Sequence, residues 1–392
     1  MKFSMIFEAQ MADIRRESER QVLHDCVEQA VYAEAMGFDR VWAVEHHALR
    51  AYAHMSASEI FLSWVGALTR RIRLGHGVIC LPFNFNHPVR VAERTAMLDI
   101  LSEGRLDVGA GRGATVTETT LYGVDQDRTY QEMEESLRIV SRIWSGEPFE
   151  WHGELIDITP PEGGSFTVVP RPLQEPHPPL FMACTHRDTL RLAAKWGVGA
   201  LVLGFGGPSE MEELHGFYRE AIAERTGDDL VSPGVTNDFF GALCPTIVLD
   251  DRKEAFTIGV RAQRFFAQSI AHYYGGGPIP DGIINDGVDE VEAMKDAEET
   301  FVAYLHEAGI PIDPGVYGSY KLDQAYGTAA DAIAHVEQLK AVGVDEVMCL
   351  IQMGTVAQEV CIETIRQWGE HVIPHFREIE AAESAVSAGV GG

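Results

Sequence analysis

The sequence predicts an α/β protein built as a single (β/α)8 barrel. Short apolar strands alternate with longer amphipathic helices along nearly the whole chain. Eight strand–helix units can be placed, and barrels with insertions commonly reach a length of 392 residues. An open, doubly wound sheet stays an alternative, because periodicity does not show whether a sheet closes. The number of units favours the barrel.

The predicted strands are short, apolar and mostly followed by glycine or polar residues. They comprise residues 3–7, 40–44, 73–81, 106–110, 180–183, 200–203, 242–248 and 346–351. The predicted helices comprise residues 19–36, 60–69, 88–101, 130–144, 188–196, 210–224 and 252–273, and a last helix that runs to about residue 376. Gly37 and Gly104 suit the ends of two helices, and Pro88 suits the first turn of another.

Two insertions interrupt this alternation within one predicted domain, residues 1–380. Residues 146–174, after strand 4, contain a predicted hairpin and a segment rich in proline and glycine. Residues 275–320, after strand 7, contain a polar helix near 289–308 and suit a lid, although a disordered surface segment is an equal alternative. Residues 381–392 are rich in Ala, Ser and Gly and predict a disordered tail.

Composition excludes several classes of partner. The 59 acidic and 31 basic residues give a net charge of −28, which argues against binding to nucleic acids or to anionic membranes. No apolar stretch reaches transmembrane length, and the first residues predict a strand rather than a signal peptide. The six cysteines show no paired spacing, so reduced thiols in a cytoplasmic protein are expected.

Glu45, His46 and His47 directly follow the second strand. The carboxyl ends of barrel strands carry the active site, and histidine changes charge near neutral pH. A zinc site is an alternative, but adjacent strand residues point to opposite faces, and no HExxH or CxxC pattern is present. We therefore predict no metal. A structural histidine cluster stays open as the other alternative.

Two segments after strands suit an anion, and one strand is unusually rich in glycine. Residues 109–114 form a glycine-rich turn in which Arg112 can bind a phosphate, although a tight turn with a surface arginine is equally compatible. Residues 184–189 open a helix whose free N–H groups suit a phosphate; ordinary capping by Thr185 or Asp188 is the alternative. Gly75 and Gly77 lie in strand 3, where a flat cofactor or close helix packing would explain them.

These segments together resemble the bacterial luciferase-like flavin-dependent monooxygenases. The matching residues are 1–3, 37–42, 45–47, 81–82, 87–90, 98–99, 102–105, 111–113, 327–328 and 343–345. The resemblance implies a TIM barrel that binds reduced FMN, adds O2 to form a flavin C4a-peroxide, and passes one oxygen atom to a small organic substrate.

The resemblance also implies roles for particular residues. His46 matches the catalytic histidine and Glu45 its acidic neighbour. The cofactor would be bound by Gly77, Val78, Arg112, Gly113, Ala114, Thr185, His186 and Thr189. Of these, Arg112 and the 185–189 loop would hold the phosphate, with only Thr189 keeping the luciferase residue of that loop. The bond between Gly77 and Val78 falls where luciferase has a cis peptide beside the flavin ring.

Two departures and one absence complete the expectations. Gly111 replaces a luciferase cysteine, which leaves room beside the flavin and argues against light emission; the segment after Tyr274 does not match the luciferase mobile loop. The sequence shows no nicotinamide-binding fingerprint, so a separate NAD(P)H:flavin reductase is expected. The resemblance further implies a homo-oligomer, either dimer or tetramer.

Two rival functions stay open. One is a coenzyme F420-dependent oxidoreductase of the same fold, which transfers hydride instead of activating O2. The other is a non-catalytic flavin-binding partner subunit, against which the presence of both His46 and Arg112 argues. The sequence does not identify the substrate or the type of oxygenation.

Overall fold

The computed structural model describes residues 1–161, 164–280 and 287–389. The strands in this part of the chain are short, and most of them are buried on both faces. They are β1 (Lys2–Phe7), β2 (Arg40–Ala43), β3 (Arg73–Cys80), β4 (Leu106–Gly111), β5 (Trp151–His152), β6 (Asp157–Ile158), β7 (Leu180–Cys184), β8 (Gly199–Val202), β9 (Phe240–Val248), β10 (Ala325–Gly327) and β11 (Glu346–Leu350).

The helices surround these strands. They are α1 (Arg16–Ala35), α2 (Ser58–Leu68), α3 (Pro88–Leu101), α4 (Val116–Tyr122), α5 (Thr129–Trp144), α6 (Arg187–Trp196), α7 (Gly207–Glu224), α8 (Arg252–Gly275), α9 (Glu290–Ala308), α10 (Pro314–Gly318), α11 (Ala329–Ala341), α12 (Gln358–Gln367) and α13 (Ile373–Gly389). A π-helical turn, Trp368–Val372, joins the last two.

The sheet closes into a barrel of eight parallel strands. The order is β1-β2-β3-β4-β7-β8-β9-β11, and β11 pairs with β1, for example at Lys2 opposite Glu346. This closure confirms the predicted barrel over the open sheet. The unit β10–α11 was not predicted, because a strand of three residues carries no periodicity. β10 pairs with the end of β9.

Close packing of Trp42 against β3 explains one of its two glycines. A Cβ atom on Gly75 would lie 2.1 Å from Cε3 of Trp42, so only glycine leaves space for the indole. Gly77 is also near this ring, with an added Cβ 2.9 Å from Cβ of Trp42. A bound cofactor is therefore not needed to explain Gly75, and the neighbour is a side chain of β2 rather than a helix.

A network of buried charges fills the interior at the amino ends of the strands. Arg40 Nε donates to Asp107 at 2.7 Å, and the same guanidinium pairs with Glu346. Trp42 Nε1 and Ser4 Oγ each donate to Glu346 at 2.7 Å. The carboxylates and the guanidinium thus satisfy each other within the protein, which is the condition for burying charge at tolerable cost.

Both insertions contain regular structure. In 146–174, β5 and β6 form the predicted antiparallel hairpin, and residues 162–163 lie outside the described residues. In 275–320, α9 is attached to α8 because Glu290 pairs with Arg261 at 2.6 Å and with Arg264 at 2.9 Å. Residues 281–286 of this insertion lie outside the described residues. Its function as a lid stays a prediction.

The carboxyl-terminal prediction needs a correction. Helix α13 continues to Gly389, so residues 381–389 are helical where a disordered tail was predicted. Alanine is the strongest helix former, and a helix already packed on the barrel extends easily through an alanine-rich segment. Residues 390–392 lie outside the described residues. The boundary of the single domain at 380 stays a prediction.

Candidate active site

A cavity lies at the carboxyl ends of the barrel strands and encloses about 1300 Å³ of empty space, part of it open to solvent. All of the predicted site residues line it: Glu45, His46, Gly77, Val78, Arg112, Gly113, Ala114, Thr185, His186 and Thr189. Their parallel strands end at the same rim, so positions far apart in sequence meet there. This location shows where the residues are, and their roles stay proposals.

His46 is held between two carboxyl groups. Its Nδ1 lies 3.0 Å from Oε1 of Glu118, and its Nε2 lies 3.9 Å from Oε2 of Glu8. The backbone N–H of His46 donates to the Met55 carbonyl at 3.0 Å. Because Nδ1 faces a carboxylate acceptor, it carries a proton, and Nε2 is the ring nitrogen left to exchange one.

The charges around His46 shift its proton affinity. Burial by itself lowers the pKa of His46, but the carboxylates outweigh burial, Glu118 above all, and raise the pKa to about 8. Burial likewise opposes the ionised form of Glu118, yet His46, Thr115 and the His47 N–H lower the Glu118 pKa to about 2. The pair is therefore an imidazolium and a carboxylate at neutral pH.

Glu8 was not singled out from the sequence. Burial raises its pKa to about 7, against the opposing effects of His46 and of the Tyr52 hydroxyl, which donates to Oε1 at 3.3 Å. Oε2 is buried and has no hydrogen-bond partner among the described residues. The sequence did contain a signal for Glu8. This carboxyl residue directly follows β1, just as Glu45, His46 and His47 follow β2.

Glu118 was also not predicted from the sequence, although its spacing from Thr115 is typical of a helix start. A threonine followed three residues later by a glutamate often begins a helix, and Thr115 Oγ1 accepts from the Glu118 N–H at 3.2 Å as the N-cap of α4. The same hydroxyl donates to Oε2 of Glu118 at 2.6 Å. Oε1 is thereby directed to His46 and to the His47 N–H, at 3.0 Å each.

Glu45 and His47 connect the ends of neighbouring strands. Glu45 accepts from the Cys80 N–H at 2.9 Å and from Nδ2 of Asn86 at 2.9 Å, and it lies 3.1 Å from Nε2 of His47. His47 stacks on Phe85 with ring centroids 6.0 Å apart. The two histidines thus point apart, and among the described residues no group of three or more potential ligands could hold a metal ion.

Arg112 is a cation without an ion pair within the described part of the chain. Its guanidinium lies 5.0 Å from the centroid of the Tyr130 ring and lines the cavity. Gly113 follows with φ of +66°, a left-handed conformation that suits glycine. An arginine that lines the cavity and has no carboxylate partner among the described residues is available to an anionic ligand.

The 185–189 loop is capped differently from either alternative in the sequence. Thr189 Oγ1 accepts from the N–H groups of Thr185 at 3.1 Å and His186 at 3.3 Å, so Thr189, rather than Thr185 or Asp188, satisfies this turn. His186 occupies the N-cap position of α6. The insertion reaches this loop, because a Cβ on Gly315 would lie 3.6 Å from the Thr185 carbonyl oxygen.

Apolar and aromatic side chains form the remaining wall. The ring of Tyr52 lies 5.3 Å from Phe266 and 6.3 Å from Tyr274, and Phe205 lies 5.6 Å from Phe266. The bond between Gly77 and Val78 is cis, as the resemblance implied.

The expected space beside Gly111 is filled. A Cβ on Gly111 would lie 2.3 Å from Cγ2 of Val78, so the Val78 side chain occupies the room that the missing cysteine was expected to leave. The expectation of extra space therefore needs correction. Its physical reason is that the neighbouring strand supplies a branched side chain where β4 has none.

The family model described as luciferase-like monooxygenase matches residues 1–303 of the 392. The chain belongs to this family. The relatives with a named activity are oxidoreductases. The cavity brings together a histidine, carboxyl groups and an arginine that has no ion pair among the described residues.

Three particular relatives illustrate the range. The oxygenase component of flavin-dependent trigonelline monooxygenase from Acinetobacter baylyi is 25% identical over 99% of both chains. Coenzyme F420-dependent glucose-6-phosphate dehydrogenase from Microbacterium testaceum is 26% identical over 55% of this chain and 61% of that protein. The oxygenating constituent of 3,6-diketocamphane monooxygenase from Pseudomonas putida, solved with FMN, has a TM-score of 0.68 at 18% identity, covering 95% of this chain and 98% of that one. This last similarity shows the fold alone.

No helix within residues 1–161, 164–280 and 287–389 is both long and apolar enough to cross a membrane.

Proposed function

We propose that this protein is the oxygenase component of a two-component monooxygenase, which uses reduced FMN and O2 to oxygenate a small organic substrate. One observation carries the proposal: a histidine held between two carboxyl groups shares a cavity with an arginine that has no ion pair among the described residues. Support also comes from the flavin-dependent relative from Acinetobacter.

The residues present fit FMN. A phosphate dianion requires positive charge and N–H donors, which Arg112, the backbone of Gly113 and Ala114, and the start of α6 would supply. The flat ring would lie against the wall formed by Gly77 and Val78. We assign the phosphate to the Arg112 side of the cavity, and the reacting centre to the side of His46.

Reduced FMN, when bound, supplies the two electrons with which one atom of O2 enters the substrate and the other leaves as water. His46 would hold or deliver a proton at Nε2, because Glu118 occupies Nδ1. Glu45 would keep the ends of β2 and β3 together through Cys80 and Asn86. The aromatic wall and the insertion would exclude water, which limits wasteful formation of hydrogen peroxide.

The first test is anaerobic titration with photoreduced FMN, followed by rapid mixing with oxygenated buffer. We expect saturable binding and reoxidation that is slower than that of free reduced FMN. The same titration with reduced coenzyme F420 distinguishes the hydride-transferring rival, which would bind F420 in preference. Binding of neither cofactor would refute the proposal, and FMN binding without any turnover across a substrate panel would favour the non-catalytic subunit.

The electrons would come from a separate NAD(P)H:flavin reductase. Free reduced FMN can diffuse between two proteins, so an unrelated reductase is expected to support turnover. Catalase should not abolish product formation, since the oxidant acts while bound in the cavity. We place the activity in the cytoplasm, where the six free and buried thiols would stay reduced.

We also propose that the protein is a homo-oligomer, with α2 in the interface. Ile60, Trp64 and Leu68 lie four residues apart on one stripe of this helix and are 67%, 61% and 54% exposed. Leu101 of the adjoining α3 is 73% exposed. Large apolar side chains grouped in this way are typical of surfaces that another protein covers.

Sedimentation velocity tests the interface. We expect the wild type to sediment as a dimer or tetramer and Trp64→Glu to sediment as a smaller species. Leu23→Glu is the matched control, because Leu23 is an exposed apolar residue on α1, outside this stripe. A monomeric wild type would refute the oligomer, and an unchanged Trp64→Glu would refute this interface.

A further inference from the structure

Glu8 presents a buried oxygen that nothing in the described protein satisfies. Oε1 receives the Tyr52 hydroxyl, whereas Oε2 is buried without a hydrogen bond. Buried polar atoms almost always have a partner, so an exception at a cavity indicates either a proton or a ligand at that atom. Nε2 of His46 lies 3.9 Å from this oxygen.

The hydrogen bond that His46 Nδ1–H donates to Glu118 determines what Nε2 can do. Since Nδ1–H is directed to Glu118, neutral His46 presents the lone pair of Nε2 towards Glu8. If Glu8 were ionised, its Oε2 and the Nε2 lone pair would be two acceptors that face each other. A protonated Glu8 presents an O–H donor to Nε2 instead. When His46 is an imidazolium, Nε2–H is the donor and ionised Glu8 the acceptor. In both arrangements the two residues hold one proton between them.

We propose that Glu8 is a positioning residue that shares a single proton with Nε2 of His46 and thereby determines the protonation state of the imidazole. A side-chain rotation that closes the 3.9 Å gap to hydrogen-bond distance lets the proton move from Oε2 to Nε2 or back. The total charge of the pair stays constant, and no other bond changes. The inference rests on the proposed function for the use of that proton, but the pair itself exists without a cofactor.

The surroundings support sharing. Burial raises the pKa of Glu8 to about 7, and the carboxylates around His46 bring its pKa to about 8, so the two proton affinities are close. Transfer is efficient when affinities match. Besides each other, the titratable groups that act on this pair are Glu118, Glu45, Tyr52 and Tyr274, and Arg112 acts on Tyr274 in turn.

NMR titration of His46 in the flavin-free protein, labelled in the histidine rings, tests the pair. In the wild type we expect two coupled steps at the His46 resonances. In Glu8→Gln we expect one step, with its midpoint lowered by about one pH unit because a nearby negative charge is lost. Glu8→Asp should restore two steps. Glu17→Gln, on the exposed surface of α1, is the control for the charge change.

A second variant keeps the test decisive if Glu8→Gln does not fold. Tyr52→Phe removes the hydroxyl that stabilises ionised Glu8, so the lower of the two steps should move to higher pH. An unchanged His46 titration in Glu8→Gln, or in Tyr52→Phe where Glu8→Gln is unfolded, would overturn the shared proton.

Turnover then separates this inference from the proposed function. Where FMN binds and product forms, Glu8→Gln should narrow or displace the pH profile of product formed per reduced flavin, and Glu8→Asp should restore it in part. An unchanged profile would overturn the role of Glu8 while leaving the monooxygenase intact. Failure to bind FMN would overturn the proposed function, while the flavin-free titration would still report on the pair.

Discussion

The two ends of the barrel interior both bury charged side chains, but they treat them differently. At the amino end, Arg40 lies between Asp107 and Glu346, and Glu346 also receives Trp42 and Ser4. At the carboxyl end, Oε2 of Glu8 has no partner among the described residues, and Arg112 has no ion pair there. The charged groups named at the amino end therefore satisfy each other, whereas Glu8 Oε2 and Arg112 at the carboxyl end stay available to a ligand.

This contrast distinguishes two uses of buried charge. Charges that satisfy each other stabilise or specify the fold and leave nothing for a ligand. Charges that are held in place but not satisfied retain the capacity to bind an anion or to exchange a proton. Two arginines of the same barrel show this difference most directly. Arg40 is paired with two carboxylates, whereas Arg112 has no ion pair among the described residues.

Removing Arg40 should have the largest effect. Arg40→Ala leaves the buried carboxylate of Glu346 without its cation, and we expect a loss of about 3–5 kcal/mol in the free energy of unfolding. Urea denaturation measures it. Arg142→Ala, which breaks the exposed pair with Glu147, should show no measurable loss. Equal stability of Arg40→Ala and the wild type would show that the amino-end network is dispensable.

His46→Ala should come next. We expect the product formed per reduced FMN consumed to fall by about 100-fold or more, with hydrogen peroxide formed instead, because proton transfer at Nε2 is lost. Binding of FMN should persist, since the phosphate side is untouched. His47→Ala is the matched control, because the side chain of His47 points away and bonds to Glu45. Unchanged coupling in His46→Ala would remove His46 from the mechanism.

Arg112→Ala should separate binding from stability. Loss of a charge-assisted contact to phosphate is expected to weaken FMN binding by about 10–100-fold. The free energy of unfolding should change by less than about 1 kcal/mol, because none of the described carboxylates loses a partner. Fluorescence titration and urea denaturation measure the two effects. Arg112→Lys should bind FMN with intermediate affinity. A large loss of stability in Arg112→Ala would contradict this prediction, because it would show that Arg112 stabilises the fold as Arg40 does.

The smallest predicted effect is a pH dependence at the carboxyl end. Folding raises the pKa of His46 from 6.5 to about 8, so its stabilisation is fully present below pH 6.5 and is lost as pH rises through about 8. The stability difference between wild type and His46→Gln should therefore be about 2 kcal/mol larger at pH 6 than at pH 9. The exposed His24→Gln is the control. A difference that is the same at both pH values would contradict the raised pKa.

Much of the site could be predicted from the sequence because of one topological rule. Polar and glycine-rich segments directly after strands must meet at one rim if the strands are parallel and the sheet closes. Residues as distant as Glu45 and Thr189 were therefore assigned to one site, and they line one cavity. Two short elements were not predicted. β10 has only three residues, and the β-branched threonines of α4 weaken its helical signal.

The sequence by itself determined the alternation of strands and helices and the positions of the polar residues after the strands, which favoured a barrel over an open sheet. Closure of the barrel was decided by the tertiary structure. Only the tertiary structure decided which carboxyl groups reach His46. Glu118 is 72 residues away, and Glu8 directly follows β1. The hydrophobic periodicity of a sequence shows only the local secondary structure and which side of an element is buried. Partners, distances and burial, which together set the pKa values, depend on how the barrel closes.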